Sequence, residues 1–275
     1  MQMKRKKFWI WFCSVVLSIA MLFTGVFFLT RLSSVSVLFR FRLSEQETRI
    51  GEGAYERIES SGEFDYGKCL LFASFEENIA NIEKANPYIK VEQILRKFPN
   101  KLNVYVSERV PRFRVKDKEI ANKWYILDAD FKVLDVIDDI ENSEFKNETA
   151  EVKYITVSAH VGDFLNFKED TSSLSEILSG VYGRTKDYSV IESIDFNKTS
   201  NTFFISMKTN KDGDYSAGCV MQIEGKTNLK DKVFVATCCY AKDDIENNSS
   251  IDLSQKVTII VSGENGDYTA KMKND

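Results

Sequence analysis

Twenty-three consecutive residues, Phe8 to Thr30, carry no charge. As a helix this run rises about 35 Å at roughly 1.5 Å per residue, enough to cross the hydrocarbon region of a bilayer. Lys4, Arg5, Lys6 and Lys7 precede it, and Trp9 and Trp11 sit where an interfacial aromatic belt belongs. A cleaved signal peptide is the competing reading. The apolar stretch is longer than a usual signal core, and no small-residue cleavage pattern ends it. The expectation is a single-pass type II protein: residues 1–7 a cytoplasmic tail, 8–30 a transmembrane helix, and everything after the span outside the membrane.

That topology fixes the charge balance of the outer part. Four of the 37 basic residues and none of the 41 acidic ones precede Arg31, which leaves 33 against 41, a net charge of −8. Nucleic-acid binding needs clustered Lys and Arg to neutralise phosphate, so an acidic outer part excludes it as a principal function. With 43% hydrophobic and 12% aromatic residues the chain can fill cores, and wholesale disorder is excluded.

The most readable segment runs from Asn86 to Pro111. Pro87 ends a preceding helical pattern, because proline lacks the N–H a helix needs and disfavours a helical residue before it. Val91 to Lys97 reads as a strand and Phe98-Pro99-Asn100-Lys101 as a turn. Leu102, Val104 and Val106 then alternate with Asn103, Tyr105 and Ser107, the period of two of a strand with one wet face. Pro111 cannot donate to a ladder and closes the segment.

Before it, Val35, Val37, Phe39 and Phe41 alternate with polar residues as a first strand. Ser44 with Glu47, and Ser74 with Glu77, have the spacing of capping boxes that open helices. Ile50, Ala54 and Ile58 give the first helix its apolar stripe, weakened by Gly51 and Gly53, and Phe75, Ile79 and Ile82 give the second. The order strand-helix-helix-strand-strand over 35–111 makes a small α+β domain. Residues 112–275 carry many short strands: Phe113 to Val115, Trp124 to Leu127, Phe131 to Leu134, Tyr154 to Val157, Val190 to Phe196, Thr202 to Lys208, Cys219 to Ile223, Val257 to Val261 and Tyr268 to Met272. Asp138 to Glu151 reads as an acidic loop, and Lys211 to Asp214 as a turn. One helix opens at a Ser173–Glu176 box and another runs from Leu229 to Tyr240. Asn265-Gly266 is a strong hairpin signal. The expected second domain is mostly antiparallel sheet with two helices.

No catalytic, cofactor or metal constellation stands out. His160 is the single histidine, and no nucleophile elbow accompanies it. Ser143-Glu144-Phe145-Lys146 has the S-x-x-K spacing of penicillin-binding enzymes without their companion motifs. Gly51-x-Gly53 and Gly225-Lys226-Thr227 are fragments of phosphate-binding patterns that lack the remaining glycines. Cys69, Cys219, Cys238 and Cys239 would lie where disulfides are permitted, but no metal spacing is present. Buried thiols and a bridge from Cys219 to Cys238 or Cys239 both remain open.

Pro87-Tyr88-Ile89 with Val91, Ile94 and Arg96, then Phe98-Pro99, Leu102, Val104, Val106, Glu108-Arg109 and Pro111, resembles the POTRA signature of the bacterial cell-division family FtsQ, called DivIB in Gram-positive bacteria. Gly67 to Phe72 and Tyr125-Ile126-Leu127-Asp128 with Val133-Leu134 extend the resemblance. Phe131 stands where that family commonly has a turn glycine. The resemblance implies a non-enzymatic scaffold without cofactor or metal. Its partners would be the single-pass division proteins FtsL and FtsB/DivIC, bound outside the membrane at the division septum. It also implies a partner strand added to an edge late in the β domain, by position at Ile251, Asp252, Leu253, Val257, Ile259 and Val261, with Tyr268 and Ala270 next. In the small domain Arg96 and Arg109 are candidate recruitment-surface residues. A membrane-anchored envelope enzyme with an unrecognised site in the β domain is the alternative.

Overall fold

The structure, a computed structural model, describes residues 2–45, 47–208, 217–241, 251–252, 254–264 and 266–274. It divides into two compact units, Met1–Arg109 and Val110–Asp275.

The first unit opens with helix α1 (Gln2–Leu29). Its stretch Trp11–Leu29 has a mean hydropathy of 2.4 and buries none of its surface in the protein, so it is long and apolar enough to cross a membrane. Then follow β1 (Ser34–Phe41), α2 (Ala54–Ser61), α3 (Glu76–Ala85), β2 (Ile89–Lys97) and β3 (Lys101–Glu108). The three strands form one sheet in the order β1-β3-β2, with β1 parallel and β2 antiparallel to β3. Leu102, Val104 and Val106 on β3 are fully buried and meet Ile58 of α2 and Ile82 of α3, while Asn103, Tyr105 and Ser107 stay half-buried. The alternation therefore separates core from outer face as its period demands. Asn86 ends α3 by donating its amide to Ile82 O at 2.9 Å, and Pro87 prevents continuation.

Neither capping box in this unit opens a helix. Ser44 Oγ does reach Glu47 Oε2 at 2.8 Å, but the pair closes a turn, and α2 starts ten residues later. Gly53 takes the left-handed conformation (φ 70°) before α2, so the chain cannot be helical through it, and Ile50 enters the core from the loop. Helix α3 starts at Glu76 with Phe75, not Ser74, at its cap.

The second unit contains β4 (Phe113–Asp117), β5 (Trp124–Leu127), β6 (Val133–Ile137), α4 (Phe145–Glu148), β7 (Ala150–Val157), α5 (Glu169–Thr185), β8 (Ile191–Asn197), β9 (Thr202–Met207), β10 (Cys219–Glu224), α6 (Leu229–Tyr240), β11 (Val257–Glu264) and β12 (Asp267–Asn274). Nine strands make one sheet in the order β12-β11-β10-β9-β8-β7-β4-β5-β6. Five of its ladders are antiparallel, and β4–β7, β7–β8 and β10–β11 are parallel. Leu174, Ile177, Leu178 and Val181 of α5 and Leu229, Val233 and Ala236 of α6 join the inward residues of the strands in one core. A smaller cluster of Trp124, Ile126, Ile140 and Phe145 holds the other residues of β5.

That smaller cluster corrects the reading of 138–151 as a polar loop. Ile140 and Phe145 are buried, α4 forms around Phe145, and β7 begins at Ala150, four residues before the expected start. Among the described residues the unit thus has three helices, where two were expected. Phe131 is not in a strand either. It sits in the turn before β6 with φ 62°, a conformation usually left to glycine, yet it is 2% exposed and stacks on Phe113 at 5.3 Å. Helix α5 begins at Glu169, four residues ahead of the expected box, so Ser173 is a buried residue inside it. The turn expected at Lys211 to Asp214 and Asn265 of the hairpin lie outside the described residues, although β11 and β12 do pair antiparallel through Gly266.

Helices α5 and α6 approach each other at Gly180, where a Cβ would stand 2.7 Å from both Lys230 O and the Val233 side chain. A backbone oxygen cannot swing away as a side chain can. Gly180→Val should therefore cost about 1–3 kcal/mol by overpacking, measured as a lowered midpoint in urea unfolding.

A second expectation concerns acid stability. Asp117 accepts a hydrogen bond from the Tyr125 hydroxyl and from the amides of Glu119 (2.7 Å) and Ile120 (2.8 Å), and these hold its pKa down to about 2. A depressed carboxylate pKa stabilises the fold above the unfolded-state value of about 3.9, and the stabilisation is lost as pH falls below it. Asp117→Asn should be less stable than the parent at neutral pH. The difference should close as acid titrations of unfolding pass from about pH 4 to about pH 2.

Candidate interaction edge

A nine-stranded open sheet has two rims, here β12 and β6. The β6 rim is partly covered by the chain following β7. Gly162 N donates to Val133 O and Val133 N to Asp163 O, each at 2.8 Å, and Lys132 bridges to Phe164. On β12 the ladder to β11 runs from Asp267 to Asn274, and among the described residues no backbone group of β12 bonds to anything but β11. In an antiparallel pair, half of an edge strand's N–H and C=O groups point away from its neighbour. β12 therefore presents an open row of donors and acceptors eight residues long.

Its side chains divide by face. Tyr268, Ala270, Met272 and Asn274 are half-buried, and Ala270 and Met272 pack on the core. Tyr268 is fixed by Asn228, whose amide donates to its hydroxyl at 2.9 Å, with Lys232 over the ring at 5.7 Å. Asp267, Thr269, Lys271 and Lys273 are exposed. Lysines on an edge strand keep it soluble without closing the ladder.

The residues expected to bind a partner fall in three places. Tyr268 and Ala270 are on the rim. Val257 and Ile259 are not: β11 is paired to β10 and β12 on both sides, and both side chains are completely buried, while Val261 is half-buried against the same core. Their alternation reflects burial, which sequence cannot distinguish from binding. Ile251 packs on the core, and Leu253 lies outside the described residues. Asp252 clips this segment to the end of β12, its N–H donating to Asn274 Oδ1 at 3.1 Å and its C=O accepting from Asn274 Nδ2 at 2.7 Å. Hydrogen bonds from the Ser254 hydroxyl and amide and from the Gln255 side chain hold the Asp252 carboxyl below the usual carboxylate range. Thr269, Lys271 and Lys273 are the rim residues that sequence reasoning passed over. The signal was present as lysines alternating with Tyr268, Ala270 and Met272.

In the first unit, Arg109 is not a surface residue. It is 5% exposed, its guanidinium 3.2 Å from Glu83 and bonded to Ile89 O at 3.3 Å. Glu83 in turn accepts from Val91 N at 2.8 Å, so the cluster ties α3 to β2. Arg96 is exposed but donates to Ala73 O at 2.6 Å with its guanidinium over Phe75. Glu108, also buried, accepts from Leu43 N (3.0 Å), the Thr48 hydroxyl (2.9 Å) and Arg49 N (2.9 Å). One carboxylate thus organises the loop after β1.

The motifs weighed for catalysis are engaged in turns. His160 has its side chain 94% exposed with Nδ1 3.7 Å from Asp163. Ser143 Oγ accepts from Phe145 N at 3.2 Å, and Lys146 pairs with Glu141. Cys219 is buried in the core, where burial and nearby Cys239 push its thiol up to about 12. Among the described residues no three His, Cys, Asp or Glu side chains converge in a way that could hold a metal ion.

The small unit is a POTRA domain of the FtsQ type: residues 55–109 match the family model for "POTRA domain, FtsQ-type". Two proteins named cell division protein DivIB align with the chain. The one from Clostridium tetani is 42% identical over 66 residues, 24% of this chain and 23% of that protein. The one from Clostridium botulinum is 33% identical over 92 residues, 34% of each. The aligned segments span about a quarter and a third of these relatives' lengths. Over this part the chain is similar to the DivIB proteins, and the likeness is carried by the FtsQ-type POTRA segment.

Replacing Glu108 tests its organising role. Glu108→Ala strands three donors in a part-buried site and should cost on the order of 3 kcal/mol, with Glu108→Gln intermediate because one acceptor oxygen remains. Equilibrium unfolding in urea measures both.

Proposed function

We propose that this protein is a non-enzymatic scaffold of the cell-division machinery, anchored by α1 with the POTRA domain and the second unit outside the membrane. On this reading it gathers FtsL-like and FtsB/DivIC-like single-pass proteins at the septum, where wall synthases act. The FtsQ-type POTRA match and the similarity to two proteins named cell division protein DivIB support the setting. The open rim of β12 is the observation that carries the mode of binding, because an added strand completes a row of backbone groups that the fold leaves available. Residues of the partner surface are then Tyr268 to Lys273 of β12, with Ile251 and Asp252 at its end. Val257, Ile259 and Val261 support them from beneath.

Hydrogen exchange on the full chain, alone and co-purified with FtsL- and FtsB/DivIC-like proteins, reads the proposal directly. Amides of β12 should slow on complex formation while those of β6 stay unchanged. Unchanged β12 exchange in a stable complex rules out strand addition there. A tagged copy distributed evenly around the membrane of dividing cells, without midcell enrichment, rules out the scaffold role itself.

A further inference from the structure

The chain leaves α1 without a linker. Thr30 and Leu32 are laced to the segment Gly67–Leu70 by three backbone hydrogen bonds, Leu70 N to Thr30 O, Leu32 N to Lys68 O and Gly67 N to Leu32 O, each at 2.9 Å. Arg31 pairs with Cys69 as a two-residue bridge, and Thr30 Oγ1 lies 3.3 Å from the buried Cys69 sulfur. The loop that follows is thus held at a fixed height against the end of the helix. Its tip is apolar and uncovered: Phe72 is 85% exposed and Leu71 42%, against 74% for Phe23 on α1 itself. Leu71 and Phe72 share a shallow groove with Leu22, Phe23, Val26 and Phe27. These α1 residues lie two to seven positions before Leu29, about 3 to 10 Å inside the end of the helix at roughly 1.5 Å per residue.

We infer that Leu71 and Phe72 insert into the outer leaflet of the membrane beside α1, making the POTRA domain a membrane-docked unit with a second point of attachment. This rests on reading α1 as the membrane anchor. The depth set by the hydrogen-bonded register is that of interfacial insertion, about 5–10 Å below the headgroup boundary. The neighbouring surface fits a headgroup layer. Arg31 and Lys68 flank the clamp, and the β2–β3 turn is tied to the same level by Ser33 N to Asn100 O at 2.8 Å. That turn presents Phe98, 57% exposed, next to the exposed Lys101. Exposed aromatic tips with Lys or Arg nearby are a pattern of residues that seat at a membrane interface. With two attachment points side by side in the bilayer, tilting of the domain against the membrane is restrained.

Tryptophan fluorescence of the full chain in phosphatidylcholine–phosphatidylglycerol vesicles tests this, using lipids brominated near the carbonyl end of the acyl chains. The background is Trp9→Phe and Trp11→Phe, which leaves buried Trp124 as an invariant baseline. Phe72→Trp should lose emission to brominated lipid as strongly as Leu22→Trp on α1. If Leu22→Trp is quenched and Phe72→Trp is not, the loop stays out of the bilayer and the inference fails while the anchor stands. If neither is quenched, the anchor reading fails and takes the inference with it. Blue-shifted but unquenched emission from Phe72→Trp would mean that protein, such as a second copy, covers the tip, and also overturns it.

Discussion

The unsatisfied backbone of an open sheet is the constraint on which the larger unit depends. A strand with a neighbour on each side can pair its N–H and C=O groups on both sides, and seven of the nine strands in the sheet have two neighbours. Only then can β11, with Val257 and Ile259 fully buried, sit beneath α6. The remaining free energy problem is pushed to two rims. At β6 the chain covers part of the rim itself, with the bonds at Val133 and the bridge at Lys132. At β12 it leaves the ladder open and places Lys271 and Lys273 on the exposed face. A buried amide without a partner costs about 1–3 kcal/mol, so an uncovered rim must face water or another strand.

The small unit solves a different problem, the joining of a membrane-length helix to a three-stranded sheet. β1 begins five residues after α1 and pairs at once with β3, the central strand, so the sheet is built outward from the helix end. Two buried charges secure the far end. Arg109 with Glu83 is weak evidence for stability in itself, since the desolvation of two charges offsets much of their attraction. What the pair contributes is position: Glu83 also receives Val91 N, so α3 and β2 can meet in only one register. Glu108 does the same for the loop after β1.

Much of this was legible in sequence because the relevant signals are local. The alternation from Leu102 to Ser107, the proline after α3 and the uncharged run of α1 each reflect periodicity or backbone chemistry within a few residues. Three capping-box spacings misled because a side-chain oxygen three residues before a glutamate also closes ordinary turns, as Ser44 and Glu47 do. The 138–151 stretch hid buried Ile140, Phe145, Thr149 and Ala150 among charged residues, and only the second face of β5 explains why Ile140 and Phe145 are needed. Phe131 in a left-handed turn could not be foreseen from a turn template. Its strain is tolerated because the ring fills a site between Phe113 and Phe167. Strand order was least legible of all, and it decides that the rim is β12 rather than β11.

That order also bears on how a partner strand would be selected. Backbone hydrogen bonds along a rim supply affinity without regard to sequence, and discrimination comes from side chains at alternate positions. On β12 the inward set, Tyr268, Ala270 and Met272, is engaged with Asn228 and the core and offers a partner little freedom. Of the outward set, Thr269 Oγ1 meets Ser262 Oγ of β11 at 3.3 Å, and Lys271 and Lys273 are exposed. Two lysines at alternate positions on one face favour carboxylates at the facing positions of an added strand and disfavour lysines there, since like charges directly opposite destabilise a pair. The same lysines oppose pairing between two copies of β12 with these residues opposed. On the strand-addition reading, a rim built this way would favour a strand with carboxylates facing Lys271 and Lys273, away from the Asp267 end.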